Sequence, residues 1–242
     1  MLDPIRIPSL FIAGTDTGIG KTVITGAIAN WFARRGYRVG VLKPVATGCK
    51  HRREGLVSED AEFLAHCADT AFPLDVVCPQ TYAEPLAPAV AAERARKPLD
   101  WSAIQRSIDL ISSGSDVLIV EGVGGLRVPM DDKHDVRDMA AWINVPTVIV
   151  ARPSLGTINH TLLTIESLRA KNIPIAGVVI NRYITDRATI AEETSPRVIE
   201  KRGNVPVLCL VPDESPPGVK LPPGIVAAIE TVDWAMLTTR SK

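Results

Sequence analysis

Residues 14–22, Gly-Thr-Asp-Thr-Gly-Ile-Gly-Lys-Thr, are the types that hold a phosphate. Glycines let backbone N–H groups turn towards an anion. A helix opening behind them adds partial positive charge, and Lys21 adds a full one. Thr22 offers a hydroxyl to Mg²⁺. The usual phosphate loop is spaced Gly-x4-Gly-Lys-Ser/Thr, whereas here five residues separate Gly14 from Gly20. The extra residue lengthens the loop without abolishing the cradle. Thr17, Gly18, Ile19, Gly20, Lys21, Thr22 and Val23 are its candidate contacts to a nucleotide.

Three further segments carry candidate chemistry. Glu121 directly follows an apolar run. A carboxylate there can reach a metal held near Thr22, or it is a solvated acid beside a turn. Gly122, Val123 and Gly124 follow it, and glycine lets the chain approach a ligand closely. Lys43 and Thr47 lie in VLKPVATG, which reads equally as a functional strand end or as a turn with a surface lysine. Pro44 denies that exit a helix. Asp60 stands two residues behind Ser58. Ser58 suits an N-cap, and an acid in the first turn suits the helix dipole, so Asp60 taken alone is structural. His51, His66, His134 and His160, taken singly, read as surface or packing residues.

These residues need elements to position them. Apolar runs at 9–14, 37–45, 116–122, 146–153, 175–182 and 205–212 predict strands buried on both faces. Helices are expected over 21–35, 58–68, 101–113, 135–143, 159–171, 186–202 and 224–239. Gly36 and the Asn172/Pro174 pair are stop signals, and Pro196 is expected to kink or split its helix. The Pro-rich stretch 212–224 reads as a surface loop. Strand–helix alternation predicts one α/β domain over 1–242, a P-loop NTPase-like fold. Its sheet should be mostly parallel, with helices on both faces. The glycine loop then sits outside the carboxyl ends of the strands, where ligands bind in such sheets.

Composition excludes several classes. The chain has 242 residues, 46% of them apolar and 22% charged, enough for a real core. Lys+Arg and Asp+Glu both number 27, which argues against nucleic acid or an anionic membrane as a general partner. No apolar run approaches the roughly 18 residues of a membrane span, and IPSLFIAG is too short for a signal peptide. Cys49, Cys67, Cys78 and Cys209 lie far apart. They read as reduced thiols of a cytoplasmic protein, not as a metal site.

Taken together, GTDTGIGKT, KPVATG, SEDA, EPLAP, VEGVGG, SLGTINH and GVVIN, in this order, resemble the dethiobiotin synthetase family along almost the whole chain. The five-residue loop spacing is a trait of that family. The resemblance implies a ligase that uses ATP and Mg²⁺ to close a cyclic urea from 7,8-diaminononanoate and CO₂ or bicarbonate. The route runs through a carbamate and a carbamic–phosphoric anhydride. It implies that Lys21 and Thr22 hold the triphosphate and Mg²⁺, with Asp60 and Glu121 as metal-linked acids. Lys43, with Lys21 and Thr17, would act at the transferring phosphate, and Thr47 would meet the diamine. Asn181 would read adenine, Arg182 would join it in binding the nucleotide, and Pro212, Asp213 and Glu214 would cover the nucleoside. Gly156, Thr157, Ile158 and Asn159 would present free N–H groups to the diamine's carboxylate in the partner's site of a homodimer. Two departures stand out: Gly18 replaces a Glu found in some members, and VPDES keeps little of the family pattern. Competing readings are an amidoligase of the cobyrinic acid synthetase type and a partner-switching ATPase. Loops of the latter carry a lysine about where Asp16 stands.

Overall fold

Side chains alternate across a strand, so a run that is apolar at every position must be covered on both faces. The computed structural model, which describes residues 1–53, 55–215 and 218–238, meets that demand. Six strands form the central sheet: β1 (Ser9–Gly14), β2 (Val39–Leu42), β3 (Val117–Glu121), β4 (Thr147–Ala151), β5 (Ile175–Tyr183) and β6 (Val207–Pro212). Their order is β6-β5-β4-β1-β3-β2, and every pairing is parallel.

The main helices are α1 (Lys21–Ala33), α2 (Glu59–Ala68), α3 (Pro88–Ala95), α4 (Trp101–Gly114), α5 (Val136–Ile143), α6 (Thr157–Arg169), α7 (Ile190–Gly203) and α8 (Pro223–Glu230). They divide between the two faces as alternation requires. Phe11, Leu118, Val120 and Ile149 pack on one side with Ile104 of α4, Met139 of α5, Ile165 of α6 and Ile199 of α7. Leu10, Ile12, Ile119 and Val150 pack on the other with Ile24 and Ile28 of α1, Leu64 of α2 and Ile229 of α8. Burying each such side chain contributes about 1.5–3 kcal/mol. Among the described residues, no helix is long and apolar enough to cross a membrane.

The expected elements are present, with differences that have physical causes. The strand expected over 37–45 stops at Leu42. Beyond Pro44, Val45–Ala46 turns away and pairs with Gln80–Thr81. The helix expected from 186 starts at Ile190, because Thr189 and Glu192 form a capping box there. Pro196 lies inside that helix and does not split it. The Glu192 carbonyl, whose usual donor Pro196 lacks, accepts the Ser195 hydroxyl at 3.3 Å. The helix expected over 159–171 starts earlier, at Thr157. The helix expected over 224–239 is two pieces, α8 and Trp234–Leu237, the second capped by Asp233. Thr239 lies outside the described residues, as do Pro216 and Pro217 of the Pro-rich stretch. Features not anticipated include α3, a helical turn at Leu74–Val77, the strand Gln80–Thr81, and an antiparallel pair of Lys50–Arg52 with Gly55–Val57.

One polar knot braces the segment behind β3. Asp131 accepts from Trp101 Nε1 at 2.6 Å and from the backbone N–H of Lys133 and His134, and lies 2.9 Å from His134 Nδ1. Burial opposes its charge, but the His134 and Trp101 bonds outweigh it and hold the carboxyl down at about 2.

Candidate active site

The site assembles where the sheet changes direction. Connections made early in the chain lead to one side of β1, and later ones to the other. That is the crevice in which open α/β sheets bind ligands. The loop between Gly14 and Lys21 crosses it. Gly20 caps α1 at φ 86°, and a Cβ there would lie 2.2 Å from Asn181 Nδ2, so only glycine fits. Asn181, at the end of β5, is 3% exposed and donates to the Ile19 carbonyl at 2.8 Å. The loop is therefore braced from below by the side chain expected to read adenine.

Register brings the charged groups together. Leu42 of β2 pairs with Val120 of β3, so the next residues, Lys43 and Glu121, leave the sheet side by side. Lys43 Nζ lies 2.5 Å from Glu121 Oε1. Ile12 pairs with Glu121, which sets that acid against the root of the loop. Thr22, at the second position of α1, donates to Glu121 Oε1 at 2.9 Å. Ser58 accepts from Ala61 N and starts α2, as expected. That start carries Asp60 Oδ2 to 2.9 Å from Lys43 Nζ. Thr22, Lys43, Asp60 and Glu121, from four segments, thus meet at one point. Asp60 is more than a first-turn acid.

Electrostatics follow from burial. Lys21 Nζ is buried and donates to the Asp16 carbonyl at 3.1 Å. Desolvation lowers it to about 8, against the pull of Glu121 and with added push from Lys43. Burial also opposes charge on Lys43, but contact with Glu121 and Asp60 overrides it and holds this lysine above its usual value. Glu121 is 1% exposed, and its Oε2 has no hydrogen-bond partner.

The oxygen set suits a hard cation such as Mg²⁺. It offers two carboxylates and a hydroxyl whose hydrogen is already directed to Glu121, leaving its lone pairs outward. The orphaned Glu121 Oε2 is a buried acceptor of the kind a metal shell satisfies. Among the described residues no group of three or more His, Cys, Asp or Glu converges.

The remaining expected residues fall around this centre. Thr17 is exposed and donates its N–H to Asp16 Oδ1 at 2.7 Å. Gly18 is exposed on the loop's outer side, and Val23 is half-buried in α1. Gly122 N donates to the Ile12 carbonyl, tying the turn of Gly122, Val123 and Gly124 to β1. Thr47 is half-buried in the turn beyond Val45–Ala46. Arg182 is exposed, in a left-handed conformation at φ 64°. Asp213 N donates to the Tyr183 carbonyl, so Pro212 and Asp213 lie beside the end of β5. Glu214 is committed elsewhere, accepting from Gly224 N at 3.2 Å at the start of α8.

Gly156 caps α6 at φ 96°. The expectation of three free N–H groups there needs correction, because Thr157 N donates to Ser154 O at 3.1 Å and the turn closes on itself. Ile158 is half-buried and Asn159 exposed. Two residues escaped sequence reading. Asp16 steadies both Lys21 and Thr17, and Arg152 lies 3.8 Å from its carboxylate. No motif spacing marked either. A groove of about 420 Å³ runs beside the loop, bounded by Asp16, Thr17, Arg127, His160 and Leu163.

A parallel sheet whose first strand ends in a lysine-bearing glycine loop, with an acid on the adjoining strand end, defines a P-loop nucleotide-binding protein. Solved structures agree on the fold. The cell division protein MinD of Aquifex aeolicus matches with a TM-score of 0.57 at 16% identity, covering 94% of this chain and 95% of that one. The ParA family ATPase of Chlorobium tepidum matches at 0.54 and 15%, covering 96% and 99%.

Sequence gives the narrower answer. A family model described as an AAA domain matches residues 8–217. The ATP-dependent dethiobiotin synthetase of Thermodesulfovibrio yellowstonii is 39% identical over 209 residues, covering 84% of this chain and 87% of that one. That of Methanocaldococcus jannaschii is 39% identical over 207 residues, covering 84% and 92%. The chain belongs to the ATP-dependent dethiobiotin synthetase family, and is an enzyme of the ligase class.

Proposed function

We propose that this enzyme closes the ureido ring of dethiobiotin from 7,8-diaminononanoate and CO₂, with ATP and Mg²⁺, in the cytoplasm. The observation that carries the reading is the meeting of Thr22, Lys43, Asp60 and Glu121 at the root of the glycine loop. The chemistry needs such a place. One amine adds to CO₂ and loses a proton to give a carbamate. A carbamate oxygen then bonds to the γ-phosphorus as the bond to ADP breaks, giving a carbamic–phosphoric anhydride. The second amine attacks its carbonyl carbon, phosphate leaves, and the ring closes.

The substrate's own carbamate is the nucleophile, so the protein's task is positioning and charge. Lys21, at the loop's end, neutralises the triphosphate, and its lowered value near 8 leaves it mostly charged at neutral pH. Lys43, held protonated by its acids, is placed to balance charge on the oxygens of the transferring phosphate. Thr17, on the glycine loop, would assist them at the transferring phosphate. Thr22, Asp60 and Glu121 would hold Mg²⁺, which when bound offsets phosphate charge. Asn181, Arg182, Pro212 and Asp213 form the nucleoside side of the site. Glu214 supports that side through α8. Thr47 lies on the diamine side.

The same reading includes a two-fold homodimer. Leu155 is 86% exposed in the turn before α6, and Leu163 is 55% exposed on it. In this reading a second copy would cover these exposed leucines. The turn of Gly156 to Asn159 would take the diamine's carboxylate in the partner's site, through the N–H groups of Ile158 and Asn159.

The test is product analysis. Incubation with ATP, Mg²⁺, 7,8-diaminononanoate and ¹³C-bicarbonate should yield dethiobiotin labelled in the ureido carbon, one ADP per ring. ATP hydrolysis with no labelled ring would refute the proposal.

A further inference from the structure

Lys43 contacts both acids assigned above to the metal. Its Nζ lies 2.9 Å from Asp60 Oδ2 and 2.5 Å from Glu121 Oε1, and the residue is 5% exposed. Thr22 Oγ1 shares the same Glu121 oxygen at 2.9 Å. An ammonium and a divalent cation a few ångströms apart repel, and here they draw on the same carboxylates. We propose that Lys43 is the resident counter-ion of Asp60 and Glu121, closing them to free divalent metal and yielding them to metal that arrives with nucleotide.

The physical basis is the fate of the ammonium. A metal binding alone would strip a buried cation of both its anions, and such a group is costly unless paired. Lys21, the neighbouring cation, offers Lys43 nothing but repulsion. Nucleotide changes this, because its phosphate oxygens give Lys43 a new anion as the metal takes the acids. Metal and nucleotide then strengthen each other by the same factor, as linkage requires. The lysine that serves the transferring phosphate is also the one that rejects metal lacking a phosphate.

This inference rests on the metal site proposed above, and the experiment separates the two. Mn²⁺ binding is followed by electron paramagnetic resonance, first with nucleotide-free protein. Wild type and Lys43→Arg should bind Mn²⁺ weakly, and Lys43→Met should bind about tenfold more tightly, within the range of ordinary coupling between sites. A non-hydrolysable ATP analogue with its γ-phosphate (AMP-PNP) should tighten Mn²⁺ binding by wild type and do so much less in Lys43→Met. Equal affinity of wild type and Lys43→Met without nucleotide would overturn the counter-ion role. If Lys43→Met does not fold, wild type alone decides: Mn²⁺ affinity that AMP-PNP leaves unchanged overturns it equally. Glu121→Gln tests the site beneath. If that variant binds Mn²⁺ with AMP-PNP as wild type does, the metal assignment itself falls.

Discussion

Replacing Gly20 with alanine, alone and together with Asn181→Ala, tests how the phosphate loop is held. At φ 86° a side chain at position 20 is strained by about 1–2 kcal/mol on backbone grounds. Its Cβ would also lie 2.2 Å from Asn181 Nδ2, well inside contact distance. Relieving such an overlap costs about 1–3 kcal/mol more, since Asn181 is buried and has little room to move. Gly20→Ala should therefore lose about 2–5 kcal/mol of stability. Asn181→Ala loses one buried bond to the Ile19 carbonyl, about 0.5–1.5 kcal/mol, or up to about 3 if that carbonyl is left dry. The double variant has no overlap, because the atoms struck are gone, and keeps only the strain and the lost bond. It should be more stable than the sum of the single losses by about 1–3 kcal/mol, the size expected of residues in contact. Urea unfolding of the four proteins gives this coupling. Additivity within about 0.5 kcal/mol would refute the brace.

Three other outcomes are expected. Lys43→Ala should lower kcat more than it raises KM for ATP, by about a hundredfold in analogy with a lost oxyanion donor; a change confined to KM would reject its role at the transferring phosphate. The carboxyl of Asp131, at about 2, lies below its usual 3.8. Its contribution is thus complete above pH 4 and lost as pH falls towards 2. Asp131→Asn should be less stable than wild type by about 2 kcal/mol at pH 7, with the gap closing in acid, and a gap independent of pH counts against the reasoning. Mixing inactive Lys21→Ala with Gly156→Pro chains should restore partial activity through one intact shared site; folded, exchanging subunits with no recovery would exclude that arrangement.

The sheet was legible because its strands are apolar at nearly every position, a pattern a half-exposed strand cannot carry. The loop was legible because glycine, lysine and threonine have few other reasons to stand together between a strand and a helix. Local sequence failed where a role depends on pairing. Lys43 reads equally as a functional residue or a surface lysine until β2 is set beside β3 and places it against an acid 78 residues away. Asp60 reads as a first-turn acid until α2 is turned towards that lysine. Asn181 and Ile19 are 162 residues apart, and nothing near either suggests a bond. α3 and the Lys50–Val57 pair are short, with little periodicity to find. The late start of α7 lay in Thr189 and Glu192, a local signal outweighed by the helical pattern around it.

The central place of β1 has a consequence for synthesis. The strand that leads into the phosphate loop leaves the ribosome well before its neighbours β3 and β4, with Ser9 beside Leu118 and Phe11 beside Thr147. Both partners lie more than 100 residues downstream. At about 5–20 residues per second they emerge some 5–30 s later. Through that interval Leu10, Phe11 and Ile12, all wholly buried in the finished sheet, lack both native neighbours. The growing chain must hold this apolar segment under α1 or in the keeping of a chaperone. It can set its nucleotide loop into the sheet only once β3 and β4 have followed.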